Sequence, residues 1–316
     1  MAFVVQSEPS PREAMESVLR RTTYILVPFS LLLVRYFPAY GREYGRWFGE
    51  EQWIGVALQK NSLARLCIMA IFFIIWSQVK RRQGKNPPVW RYQTYVEIFV
   101  LVIAFWLLGG PGRDIFYAAT AIYALCAGLL AFIGFHLAKK SRINMRAGVL
   151  MTILAVIITI GIISIFTGAS NAGLLASVAG RSATLTGRTE VWAMLLPIVM
   201  QRPIVGGGFG SFWTSRTMEA TFGVNEAHNG YLDVLLGLGF IGILLVSMFL
   251  LSSCRKAHRE LAHDFDWGVL WICFLIIAVV HNTAESSIHS LTYYMTAIIL
   301  FLTVSSANVY SSKAQI

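Results

Sequence analysis

The sequence predicts an all-α polytopic membrane bundle, with about eight transmembrane helices and one large extracytoplasmic loop that carries a short amphipathic helix. Three observations lead there. Of the 316 residues, 56% are hydrophobic and only 13% are charged, against about 25% charged in soluble domains. The apolar residues fall in runs of about 20, the length that crosses a hydrocarbon core as a helix. Alternating apolar patterns of about 10 residues, the mark of a membrane barrel, do not occur.

The expected spans are 22–38, 62–79, 94–110, 115–138, 147–167, 229–252, 267–284 and 290–308. The connecting loops orient them. Lys80, Arg81, Arg82, Lys85 and Arg91 lie in 80–93; Lys139, Lys140, Arg142 and Arg146 lie in 139–146; Arg255, Lys256 and Arg259 lie in 253–266. Basic loops collect on the cytoplasmic side, and these three alternate correctly for it. Both termini then face the cytoplasm, with a lead at 1–21 and a tail at 309–316. The lead carries acids and prolines where a signal peptide needs a basic start and an apolar core. The net charge of +10 follows from these loops and needs no nucleic acid to explain it. Cys67, Cys126, Cys254 and Cys273 lie in or beside apolar runs with no paired spacing, so neither disulfides nor zinc are expected.

The outer side receives 39–61, a short turn near 282–289, and the large loop 168–228. In that loop TEVWAMLLPIVMQRP reads as a short amphipathic helix at the membrane interface. Trp192, Leu195, Leu196 and Val199 share one face, Thr189 caps its start, and Pro203 stops it. GGGFGSFW follows. No strand precedes it and no lysine follows at the required spacing, so it is not a nucleotide loop but a tight turn returning the chain to the membrane. Paired repeats and broken helices, which mark transporters, are not evident, and the polar residues collect at the outer surface.

Candidate chemistry also gathers on that side. Arg181, Arg188, Arg202 and Arg216 make the outer loop basic, against the orientation bias, which calls for an anionic partner. Arg188 lies just before the expected start of the short helix, where free N–H groups and the macrodipole favour phosphate; pairing with lipid headgroups or Glu190 is the plain alternative. His228 stands at the mouth of the 229–252 span. It is suited to accept a proton near neutral pH, or simply to anchor a helix end. Asn229 and Asp233 share a helix face, so Asn229 is expected to hold the Asp233 carboxylate. His281, Glu285 and His289 cluster near the third outer turn, but their spacing matches no metal-ligand pattern. Arg35, Arg65 and Glu97 fall inside spans. The arginines are placed to snorkel, and Glu97 to reach the inner surface.

The segments RSATLTGRTEVW, RPIVGGGFGSFW and EAHNGYLDVLLGLGFIG, in that order, resemble the signature region of the O-antigen ligase and polymerase superfamily. NTAESS is similar to a later family segment, and TTYILVPFSLLLVRYFPAYGREYG and GVALQKNSLARL resemble its exopolysaccharide-polymerase-like branch. The resemblance spans residues 20–305. It implies a bacterial inner-membrane glycosyltransferase that needs neither metal nor cofactor, acting on the periplasmic face with inversion. The donor would be an undecaprenyl-diphosphate-linked glycan and the acceptor a glycan or lipid A-core. It assigns the diphosphate to Arg188 with Arg181 as helper, and the base to His228. Arg216, Asn229 and Glu285 are taken as substrate-binding. Superfamily members carry about ten or more spans, so the resemblance implies that the first few are expected to be missing from this chain. The alternative is therefore a truncated, non-catalytic accessory or transport subunit of polysaccharide export.

Overall fold

A computed structural model describes residues 2–45, 49–84, 90–112, 117–143, 146–167, 188–214, 217, 226–288 and 295–304. They are mostly helical: α1 Ala2–Ser7, α2 Pro11–Tyr36, α3 Pro38–Gly41, α4 Lys60–Arg82, α5 Gln93–Gly109, α6 Ala119–Lys140, α7 Ala147–Thr167, α8 Arg188–Gln201, α9 Gly230–His263, α10 Phe265–His281 and α11 Met295–Val304. One antiparallel hairpin, β1 Arg42–Tyr44 with β2 Glu51–Trp53, pairs Arg42 with Trp53. Five helices, α2, α4, α6, α7 and α9, are long and apolar enough to cross a membrane, while α5, α8, α10 and α11 are apolar but shorter. All of these except α8 stand where a span was expected.

The chain divides into two compact units, Met1–Phe132 with Asp264–Leu270 and Ile299–Ile316, and Ile133–His263 with Trp271–Ile298. In the first, α4 is the core element. It buries residues all around its circumference, from Leu63, Leu66 and Cys67 to Phe72, Phe73 and Trp76, as expected of a helix that is apolar on every face. α2 and α5 pack against it and turn Ile25, Phe29, Phe99 and Val102 outward.

Glu97 does not reach the surface; it is buried. It accepts hydrogen bonds from the Tyr24 hydroxyl at 2.9 Å, Gln93 at 3.0 Å and Gln78 at 2.6 Å, and it pairs with Arg81. A carboxylate buried in a bundle is tolerated only when paired and fully hydrogen-bonded, and three elements supply the partners. Arg65 likewise is buried rather than extended to the surface, and donates to Ser62 Oγ at 2.6 Å.

In the second unit α7 packs along α9. Gly161 makes this approach possible, because a side chain there would strike the Tyr231 ring. Contrary to the apolar pattern, α9 is broken. Gly239 adopts φ 62°, ψ −159°, which strands the carbonyls before it and the N–H groups after it. The stretch after α8 satisfies both sets. Gly207 and Gly208 donate to the Leu236 and Gly237 carbonyls at 2.8 and 2.7 Å, and Phe240 and Ile241 donate to the Pro203 and Ile204 carbonyls at 2.8 and 3.2 Å. Each such group left unpaired in hydrocarbon would cost several kcal/mol. The glycine-rich stretch is therefore a splint across a broken helix as well as a turn. Gly206, at φ 66°, lies so close to the Gly237 backbone that a side chain would collide with it.

Candidate functional site

The second unit gathers a polar corner where the chain enters α9. Asn229 is the N-cap: its Oδ1 accepts from Tyr231 N at 3.0 Å and Leu232 N at 3.1 Å, the pattern that satisfies the second and third orphan donors of a helix. Its Nδ2 donates to the Thr283 carbonyl at 3.1 Å, and the residue is fully buried. Gly230 N donates to the carbonyls of Asn282 and Glu285 at 3.0 and 3.1 Å. A side chain at 230 would collide with Asn282 Oδ1, so the His-Asn-Gly sequence is a docking joint between the start of α9 and the turn after α10.

That turn is held from within. Asn282 Oδ1 accepts from Ser287 N at 2.8 Å and Ile288 N at 2.9 Å, while its Nδ2 donates to Ala278 O at 2.6 Å and to Ser287 Oγ at 2.7 Å. Asp233 ties the turn to the incoming loop. Its carboxylate accepts from Trp213 Nε1 at 2.8 Å, from the Ser286 hydroxyl, and from Ala227 N at 3.3 Å. The holders of Asp233 are thus Trp213, Ser286 and Ala227, while the Asn229 amide is engaged in capping.

On this joint sits His228, at φ 48°, a left-handed conformation uncommon outside glycine. Its Nδ1 lies 3.1 Å from Glu226 Oε1 and 3.4 Å from Glu285 Oε2. Nδ1–H donating to a carboxylate fixes the tautomer in which Nε2 carries the lone pair. The imidazole is about one-third exposed, while the Glu285 side chain is almost wholly buried. Glu285 thus orients the ring from below, and the ring meets solvent or substrate. Glu226 escaped the sequence reading. A carboxylate two residues before a histidine does not share a helix face with it, and the segment carries no strand signal; the structure brings the two together at a left-handed turn at His228.

α8 descends beside this corner. Trp192 Nε1 donates to Ala227 O at 2.8 Å, and Trp192, Leu195 and Val199 are buried, three of the four positions expected on one face. α8 begins at Arg188 rather than after Thr189, so Thr189 falls within its first turn. The contact at Trp192 joins α8 to Ala227, the residue before His228. Arg188 is the first residue of α8; its side chain, Arg181, Arg216 and His289 lie outside what the structure describes. His281 is buried and its carbonyl accepts from Glu285 N at 3.0 Å, so it supports the turn through its backbone.

Glu226, His228 and Glu285 present ligand atoms within 4.8 Å of one another. Two carboxylates and an imidazole form a donor set that a divalent cation accepts, a grouping the linear spacing did not disclose. The same geometry is also compatible with an oriented base that uses no metal.

Residues 115–247 match the family model described as O-antigen ligase, a region that takes in Arg188, His228 and Asn229 and ends before Glu285. The exopolysaccharide production protein ExoQ of Rhizobium meliloti (strain 1021) is 25% identical over 215 residues, which cover 64% of this chain and 47% of that protein. The chain thus spans about half the length of the curated relative it matches. No solved structure matches it.

Proposed function

We propose, for a chain that is O-antigen ligase-like over residues 115–247, that the His228 corner transfers a glycan from a polyprenyl-diphosphate donor to a sugar hydroxyl. The observation that carries this is the imidazole held at Nδ1 by Glu226 and Glu285, one residue after the Ala227 carbonyl to which Trp192 of α8 donates. In this reading Nε2 takes the proton of the acceptor hydroxyl, and the resulting oxygen attacks the anomeric carbon from the face opposite the diphosphate. The bond to the diphosphate breaks, and the configuration inverts. Arg188 and the N–H groups of α8 hold the leaving diphosphate, with Arg181 and Arg216 adding charge. Fixed guanidinium groups neutralise a leaving group without metal. Asn229, spent on capping, acts by positioning His228, and Glu285 acts by orienting the ring.

The donor class, undecaprenyl diphosphate in a bacterial inner membrane, and the periplasmic location come from family likeness and from the loop charges. Eight crossings follow if α5, α10 and α11 also span and α8 does not. Polymerase is favoured over ligase because the relative is named for exopolysaccharide production. The test supplies one purified lipid-linked repeat unit and no other acceptor. A polymerase gives a ladder of longer lipid-linked glycans that disappears with His228→Ala. A single transfer only after lipid A-core is added makes it a ligase. No product with either acceptor, from folded protein in lipid, overturns the glycosyltransferase reading and leaves the accessory role.

A further inference from the structure

We infer that α8 and the glycine-rich segment after it form a re-entrant element whose tip, residues 203–210, lies inside the hydrocarbon of the bilayer and faces lipid acyl chains. The depth follows from α9. Its polar end is marked by Arg255, Lys256 and Arg259. Counting about 20 residues back from Arg255 reaches the opposite boundary near Leu235. Gly239 then lies about 6 Å inside that boundary at about 1.5 Å per residue. The tip is bonded directly to Leu236, Gly237, Phe240 and Ile241, so it shares their depth whichever side of the membrane it enters from.

Two independent features fit that placement. Non-helical backbone at membrane depth must be satisfied by protein, and here the broken helix and the tip complete each other's hydrogen bonds. The tip's large side chains are apolar and outward: Ile204, Val205 and Phe209 are 64%, 60% and 74% exposed, beside the exposed Phe240, Ile241 and Leu244. In water this would be a costly apolar patch; against lipid it is an ordinary surface. Between Glu190 and Arg216 the only charged residue is Arg202, at the edge of the tip. A depth of about 6 Å is within reach of a snorkelling arginine. The path of α8 agrees. It starts level with Ala227 through Trp192 and ends level with Phe240 through Pro203, so it descends alongside the first half of α9.

The test places single cysteines at Val205 and Phe209 in a Cys126→Ala background, spin-labelled in proteoliposomes, with the signal of the background protein subtracted. Ser141, in a polar turn, and Leu244, on the outward face of α9, serve as aqueous and lipid references. Collision with oxygen should exceed collision with a neutral nickel chelate several-fold at 205 and 209, as at 244. In membranes opened to reagent on both sides, an impermeant maleimide should label both cysteines only after SDS is added. Nickel collision at both positions equal to that at 141, or full labelling before SDS, would overturn the re-entrant placement. Both substituted side chains point outward, so neither change disturbs packing, and glycan transfer is not part of either readout.

Discussion

At the scale of single residues, the division of labour around His228 is open to direct measurement. If Nε2 is the base, His228→Ala should lower kcat by about 10²–10⁴, the usual contribution of a positioned general base, with donor affinity retained. Glu285→Gln keeps the shape beneath the ring but removes its charge. It should give a smaller loss, confined to kcat, with Glu226→Gln milder because that carboxylate is the more exposed of the two. Unchanged kcat in the His228 variant would remove the base assignment. Arg188→Ala should weaken donor binding and slow transfer, and Arg188→Lys should restore only part, because a point charge lacks the bidentate fork; full recovery with lysine would argue that Arg188 acts through net charge alone. His228 and Asn229 could be singled out in the sequence because they stand together at the mouth of an apolar run, although the shared helix face points to Asn229 as the partner of Asp233 and not as the cap it is. Glu226 and the grip on Asp233 could not, since Trp213 and Ser286 reach Asp233 from residues 20 and 53 positions away.

At the scale of elements, the joints are more informative than the helices. Asn229→Ala should cost about 1 kcal/mol for the lost cap and more for the lost bond to Thr283, read as a lower thermal midpoint in detergent. Asn229→Asp keeps the cap acceptor and should recover most of the first loss only. Gly239→Ala places a side chain against the Ile204 carbonyl at a positive φ. It should destabilise by at least the ~1–2 kcal/mol of the left-handed penalty, and a midpoint equal to that of the parent would show that α9 can straighten. The helices themselves were legible, because runs of about 20 apolar residues have few other structures open to them. The break was not. Gly237, Gly239 and Gly242 read equally well as small residues for close helix packing, and only the partner segment 203–208 makes a break affordable. The β1–β2 hairpin was likewise invisible, being two strands of three residues each inside a stretch read simply as an outer loop.

At the scale of the whole molecule, two expectations rest on charge. Transfer should continue in excess EDTA, because the proposed mechanism gives the diphosphate to arginines and not to a metal. Loss of activity restored by a divalent ion would instead assign Glu226, His228 and Glu285 to a metal site, which they are close enough to form. The second expectation is topology. Some of the cations used to orient the chain are engaged inside it: Arg81 with Glu97, and Lys80 with Glu16 at 2.6 Å. The weight then rests on 139–146, with Lys139, Lys140, Arg142 and Arg146 and no acid. If that loop and 80–93 are both cytoplasmic, α5 must cross along with α6, although its 17 residues span only about 26 Å of a core about 30 Å thick. Parity makes the check sharp. Alkaline phosphatase fused after Gly84 or Lys140 should be inactive, and fused after Pro111 it should be active. Activity at Lys140 would invert the whole orientation. Inactivity at all three positions would instead mean that α5 and α6 enter and leave on the same side, and the count of crossings would fall by two.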